Sequence, residues 1–318
     1  MQVLKATSER KPMYNTLMVP LDGSDFGRHA IPWALAIAEP AGARVDLVNV
    51  LTPSHDAGLV DDGLVLAEVM DNERMVAGDR LRDLADRLTL GTGVRFTSHV
   101  LEGKATDAVL RYATEHAIDL VVMTTHGRSG LARAVLGSIS DQVVRRSRRP
   151  VLLARPHRHV AEEHEPAAAS EVLVLLDGTV ASEAILEHAL MLCRLMEAAC
   201  TLLHVIVPEL VLTGVAVPNA LVDHGAAVAA ERTATAYLAT QANRFREEHV
   251  PVTTAVVHHS DPADGTLEYC ASHPVSLIAM ATRGTGGLER SMVGSTMDAL
   301  LRRTRLPLLT IASHSGSE

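Results

Sequence analysis

Short, mainly apolar runs recur along the chain at 16–21, 45–51, 94–101, 119–124 and 150–154, each closed by polar or glycine-bearing residues. Runs of this length bounded by turn residues predict strands buried on both faces. Between them lie longer amphipathic stretches, at about 26–41, 65–90, 105–117 and 137–147, whose apolar positions follow helical spacing. Strands alternating with helices imply a parallel sheet built through right-handed crossovers. Pro150 and Pro307 each stand at the first residue of an expected strand, where a missing N–H costs least.

The pattern then repeats. Thr16–Ser24 matches Glu171–Thr179 and Val45–Val50 matches Cys200–Val205, both at an offset of 155, whereas Met123–Ser138 matches Met280–Ser295 at 157. One duplicated unit with a two-residue length difference in its middle accounts for both offsets. The expected organisation is a first domain over 12–156, a polar linker over 157–170 and a second domain over 171–313. The expected architecture is two tandem Rossmann-like α/β domains, each a doubly wound, parallel five-stranded sheet. Two segments break the match. Thr52–Gly63 is rich in Asp and Gly, while its counterpart Pro208–Val222 is apolar and predicts core packing, a ligand lid or a partner surface.

In each unit the fourth apolar strand runs into a glycine-bearing turn and then an amphipathic helix, with nine residues separating Gly127 from Gly137-Ser138 and Gly284 from Gly294-Ser295. A strand, a glycine loop and a helix start bring uncommitted backbone N–H groups and a positive helix end together, a geometry that stabilises phosphates. This spacing, after an apolar strand and with a small residue three places before the first glycine, resembles the nucleotide loop of the universal stress protein family. The likeness covers nearly the whole chain twice. The family pattern starts with a further glycine, and here Thr124 and Ala281 stand in its place; a β-branched side chain at 124 is expected to limit the backbone there.

The resemblance implies an adenine-nucleotide site at the carboxyl ends of the strands. In the first unit Asp22 and the backbone of Val50 would hold adenine, and Gly127, Gly137 and Ser138 would hold ribose and phosphates; Pro20, Leu21, Gly103, Thr124, His126 and Arg128 are further candidates for the same site. The second unit carries Asp177, Val205, Ala281, Arg283, Gly284, Gly294 and Ser295 in matching places, with Ser260 for Gly103 and Arg283 for His126. Read from the residues alone, Asp22 is equally a turn or helix-cap residue before Gly23-Ser24. Arg128 and Arg283 are either phosphate contacts or loop arginines. The implied ligand is ATP, ADP or AMP with Mg²⁺.

Composition narrows the classes. A net charge of −9 and 3% aromatic residues argue against a nucleic-acid surface and against base stacking. The basic runs Arg145–Arg149 and Arg302–Arg305 read as helix C-termini favouring cations, or as a partner patch. Cys193, Cys200 and Cys270 form no CxxC, a reduced, cytoplasmic pattern. Met1–Lys11 has no apolar core of a signal peptide, and no apolar run is long enough to span a membrane. The histidines 157, 159, 164, 258 and 259 have no metal-ligand spacing, and the sequence has neither a P-loop nor a Gly-x-Ser-x-Gly elbow. No catalytic residue is assigned.

The expected function is regulatory: a stress-response protein whose occupancy by nucleotide alters its surface, with at most slow ATP hydrolysis. The alternatives are a nucleotide hydrolase or adenylyl-transferring enzyme of the same fold, and a chaperone-like scaffold whose loops hold no ligand. The closing strands 151–154 and 308–311 would expose unpaired backbone groups if left as sheet edges, and the family resemblance implies that they meet one another across a pseudo-two-fold axis. A homodimer of whole chains, meeting an unidentified protein partner, is the expected assembly.

Overall fold

The structure is a computed structural model, and it describes residues 13–52, 63–125, 137–155, 166–208, 224–283 and 295–313. Unit one consists of β1 (Thr16–Leu21), a 3₁₀ turn (Gly27–Ala30) leading into α1 (Ile31–Ala41), β2 (Arg44–Leu51), α2 (Gly63–Thr92), β3 (Phe96–Glu102), α3 (Ala105–Glu115), β4 (Leu120–Thr124), α4 (Ser138–Arg146) and β5 (Val151–Ala154). Unit two repeats the order with β6 (Glu171–Leu175), α5 (Val180–Glu183), α6 (Leu186–Leu195), β7 (Ala199–Ile206), α7 (His224–Glu247), β8 (Val252–His258), α8 (Pro262–Ser272), β9 (Leu277–Arg283), α9 (Ser295–Arg303) and β10 (Leu308–Ser313).

Local chemistry sets several of these boundaries. Gly42, in the left-handed region at φ 63°, stops α1. The α8 helix starts where Asp261 accepts hydrogen bonds from the amides of Ala263 and Asp264, with Pro262 preorganising the first turn. The basic runs close α4 and α9: Arg145 pairs with Asp141 one turn back and Arg302 with Asp298. Arg146 reaches across to Asp107 on α3, and Arg303 reaches to Asp264 on α8.

All ten strands form one sheet in the order β3-β2-β1-β4-β5-β10-β9-β6-β7-β8. Every pairing is parallel except the central one, where β5 meets β10 antiparallel, Leu153 facing Leu308 and Leu152 facing Leu309. The two closing strands are therefore neighbours, as their apolar character demands. Their side chains alternate into two clusters. Leu152 and Leu309 join the layer under α1, α2, α6 and α7; Val151, Leu153 and Leu308 join the layer under α3, α4, α8 and α9. Each layer runs through both units. Full burial of such a side chain contributes about 1.5–3 kcal/mol, so the seam is core rather than a surface contact. Off the sheet, the Tyr14 hydroxyl bonds to Nδ1 of His188 on α6, and the Ala167 amide donates to the Pro32 carbonyl of α1.

The structure corrects how the repeat is offset. Val45 pairs with Phe96 and Cys200 with Val252, so the third strands are equivalent at 156 rather than 157. The caps of α3 and α8, Lys104 and Asp261, are 157 apart. The extra residues thus enter one at a time, the second just before α8. Gly103 donates its amide to the Leu51 carbonyl and His259 donates to the Ile206 carbonyl. His259 is therefore the counterpart of Gly103, and Ser260, expected in that role, is the inserted residue. Gly103 sits at φ 117°, where a side chain is strained; the added residue lets His259 take an ordinary conformation.

Candidate functional site

The switch in strand order falls at β2-β1-β4 in unit one and β7-β6-β9 in unit two. At such a point the connections leave on opposite faces and open a crevice beyond the strands' carboxyl ends. Unit one widens it. β1 pairs with β4 only at Leu17 and Met18, whereas β6 stays paired with β9 as far as Leu175. Pro20, the counterpart of Leu175, has no N–H to extend that ladder, so the strands part earlier in unit one. Leu21, the last residue of β1, is buried, and its carbonyl accepts a hydrogen bond from Asn49 Nδ2 at 2.9 Å.

Asp22 follows. Its Oδ1 accepts from the Ser24 amide at 3.0 Å and the Ser24 hydroxyl at 2.6 Å, around Gly23 at φ 79°. This carboxylate therefore builds the turn. Val50, half-buried near the end of β2, pairs with Leu101. The Gly103 carbonyl accepts from the Thr52 hydroxyl at 3.2 Å. Thr124 is the last residue of β4 and 7% exposed. Its branched side chain lies in strand conformation, which favours branching, so the restriction expected of it does not arise within the loop. The Thr124 carbonyl accepts from the Ser140 hydroxyl at 2.8 Å, and the Thr125 carbonyl accepts from the Gly137 amide at 2.8 Å. These two bonds fasten the start of α4 to the end of β4. Gly137 is the N-cap, with no side-chain cap bond, and Ser138 opens the helix on the exposed side. An uncapped first turn leaves amides that an anion can satisfy. His126, Gly127 and Arg128 lie outside the described residues.

In unit two, Asp177 Oδ1 accepts from the Thr179 amide at 2.9 Å and hydroxyl at 2.6 Å, around Gly178 at φ 83°. The turn is thus built twice in the same way. Val205 is again half-buried, near the end of β7. The fourth strand differs. It was expected to give way to a turn after Met280, yet Ala281, Thr282 and Arg283 continue β9 and pair with Ile311, Ala312 and Ser313. Ala281 is therefore a paired strand residue rather than a loop residue. Ser295 opens α9 and is exposed; Gly284 and Gly294 lie outside the described residues.

These are the features of one family. Its model, described as the universal stress protein family, matches residues 13–155 and again 169–312. The chain belongs to the universal stress protein family. Universal stress protein MJ0531 of Methanocaldococcus jannaschii is 30% identical over 145 residues, which are 45% of this chain and 83% of that protein. Universal stress protein YxiE of Bacillus subtilis is 28% identical over 148 residues, 45% of this chain and all of that protein. A universal stress protein from Archaeoglobus fulgidus has the same fold through both units, with a TM-score of 0.70 at 18% identity over 94% of this chain and 99% of that one. Among the described residues no group of three or more His, Cys, Asp or Glu side chains could hold a metal, and no helix is long and apolar enough to cross a membrane.

Three residues, Arg155 and His204 near strand ends and Tyr237 on α7, were not singled out from sequence. Nε and Nη2 of Arg155, just after β5, are buried without a hydrogen-bond partner, as are Nδ1 of His204 and the hydroxyl of Tyr237. Burial lowers the His204 pKa, with Asp177 and the Leu176 carbonyl pulling the other way. Burial raises the pKa of Tyr237, whose hydroxyl faces Ser182 and Glu183 without closing a bond. Unit one has Asn49, satisfied by Leu21, where unit two has His204.

Proposed function

We propose that this universal stress protein binds an adenine nucleotide at the carboxyl edge of each half-sheet, with ATP and Mg²⁺ as the reference ligand in unit one, and that occupancy acts by regulation. The observation that carries the reading is the pairing, in unit one, of a crevice opened at Pro20 with an uncapped helix N-terminus anchored beside it at Gly137. Phosphates supply negative charge where α4 has amides and a positive dipole end. Asp22, just beyond β1, and the backbone of Val50 near the end of β2 are the residues proposed to hold the adenine. The domain division at 12–156 and 171–313, the cytoplasmic setting and pairing of whole chains belong to this proposal too. No described residue is assigned as a general base, so turnover above a slow background is not part of it.

The test is calorimetric titration of the full chain with ATP, ADP and AMP, with and without Mg²⁺. Between one and two nucleotides should bind per chain, and no heat at millimolar ATP would overturn the reading. Gly137→Asp sharpens it. An aspartate cap should stabilise α4 by a few tenths of a kcal/mol while placing a carboxylate where phosphate would sit. Thermal stability should rise and ATP affinity fall by at least about tenfold. Unchanged affinity would remove α4 from the site.

A further inference from the structure

Arg155 is the outlying charge of the central seam. It follows Ala154, which pairs with Thr124 and accepts the Thr125 amide at 3.1 Å. Thr125 in turn accepts the Gly137 amide, so Arg155 stands on the strand next to the start of α4. Alternation along β5 sends its side chain to the face of Val151 and Leu153, the layer under α4 and α9. There Nε and Nη2 are buried with no hydrogen-bond partner. The acids of the flanking helices are committed: Asp141 to Arg145, Asp298 to Arg302. Desolvation pulls the guanidinium below its ordinary pKa, yet a guanidinium does not give up its proton in a protein. A half-buried guanidinium with two buried, unpartnered nitrogens beside a positive helix end is unfavourable unless an anion joins them.

We propose that Arg155 is the counter-charge for the phosphate chain of a nucleotide held in unit one, supplied from β5 rather than from the glycine loop. This rests on the nucleotide reading above. The closing strand of unit two carries no such charge at the equivalent position. Thr124–Ala154 corresponds to Ala281–Ile311 in strand pairing, so the counterpart of Arg155 is Ala312. Unit one therefore favours polyphosphates through a contact that β10 does not supply in unit two.

The experiment uses the full chain, Arg155→Met and Arg155→Lys, titrated with ATP, AMP and adenosine and melted without ligand. A charge-assisted contact of ordinary strength corresponds to about tenfold in affinity or more. In Arg155→Met one class of ATP sites should weaken by about that factor, AMP less, and adenosine not at all. Arg155→Lys should keep most of the ATP affinity. Without ligand, Arg155→Met should melt at the same temperature or higher, because a desolvated charge has been replaced by an apolar chain. A fall in melting temperature of several degrees would identify Arg155 as a structural ion-pair partner, for instance of Glu162, Glu163 or Glu165, and overturn the proposal. Equal ATP affinity in wild type and Arg155→Met would overturn it while leaving nucleotide binding intact. Absence of nucleotide binding in the wild type would instead remove the reading beneath it.

Discussion

Where α1 ends, unit one places Gly42 at φ 63° and unit two places Glu197 at φ 52°; where the long second helix ends, Gly93 stands at φ 75° and His249 at φ 61°. The backbone is the same and the residue that suits it is not. The reverse trade occurs at the next helix. Ala108 is buried on α3, and its counterpart on α8 is Gly265, where a Cβ would lie 2.9 Å from His259 Cβ and 3.1 Å from Val205 Cγ1. His259, having replaced Gly103, fills the space that alanine occupies in unit one. The buried polar clusters differ as well. Asp46, 1% exposed, accepts from the Thr97 and Tyr112 hydroxyls and pairs with Arg44, whereas unit two joins Thr201 to Thr253 and to Glu171 on the neighbouring strand. The duplicated units preserve strand pairings and turn geometry, and each repacks the side chains around its own exceptions.

The largest effect should come from the polar clusters. Asp46→Ala leaves the Thr97 and Tyr112 hydroxyls and the Arg44 charge without their acceptor. Burial and Asp46 both hold the Tyr112 pKa up, so that hydroxyl remains a donor seeking an acceptor. We expect a loss of about 3 kcal/mol in urea unfolding, against about 1 kcal/mol for Thr201→Ala. Equal losses would break the contrast between the units. Both variants should still unfold in one transition, because the core layers run through both halves.

Next comes Gly265→Ala. Helix propensity alone would favour alanine by about 1 kcal/mol, but the contact with His259 should reverse the sign to a loss of about 2 kcal/mol. Coupling to His259→Gly should recover at least about 0.5 kcal/mol. Additive losses would show that His259 does not set the size of residue 265.

The seam itself is tested by pH. His188, bonded to Tyr14 of the other unit, has its pKa lowered by burial from the usual 6.5. The unfolded chain therefore binds more protons in the window between the folded value and 6.5. Stability from this group is complete above that window and is lost as pH falls through it, by at most about 1.4 kcal/mol per pH unit. Melting temperatures from pH 8 down to 5 should fall less steeply for His188→Asn than for wild type. Identical slopes would exclude His188, leaving the half-buried His99 and His204, whose pKa values are also lowered.

The smallest effects are the terminal swaps. Glu197→Gly and His249→Gly should each stabilise by about 0.5–1 kcal/mol, and Gly42→Ala should cost about 1 kcal/mol. A glycine that destabilises at 197 or 249 would mean that the side chain contributes more than the strain.

Much of the fold was legible because its signals are local. Apolar runs bounded by turn residues marked the strands of unit one, the repeat carried them into unit two, and the family resemblance implied that the short apolar closing strands meet. The turn at Asp22 and Asp177 was legible for the same reason, as Gly23 and Gly178 supply the positive φ beside each carboxylate. The extent of β9 was not, since Ala281-Thr-Arg283 become strand only because β10 continues alongside them.

The amino-acid sequence by itself determined the duplication, the α/β order, the family loop spacing and the burial of residues 151–154 and 308–311, because periodicity and backbone preference act over a few neighbouring residues. Only the tertiary structure decided that His259 rather than Ser260 answers Gly103, that residue 265 must lack a side chain, and that Pro20 parts β1 from β4 early. It alone left Nε and Nη2 of Arg155 buried without a hydrogen-bond partner. Each of these depends on which atoms arrive from elsewhere in the chain. Pairing register, close approach and desolvation are properties of neighbours in space, and those neighbours exist only once the sheet has assembled.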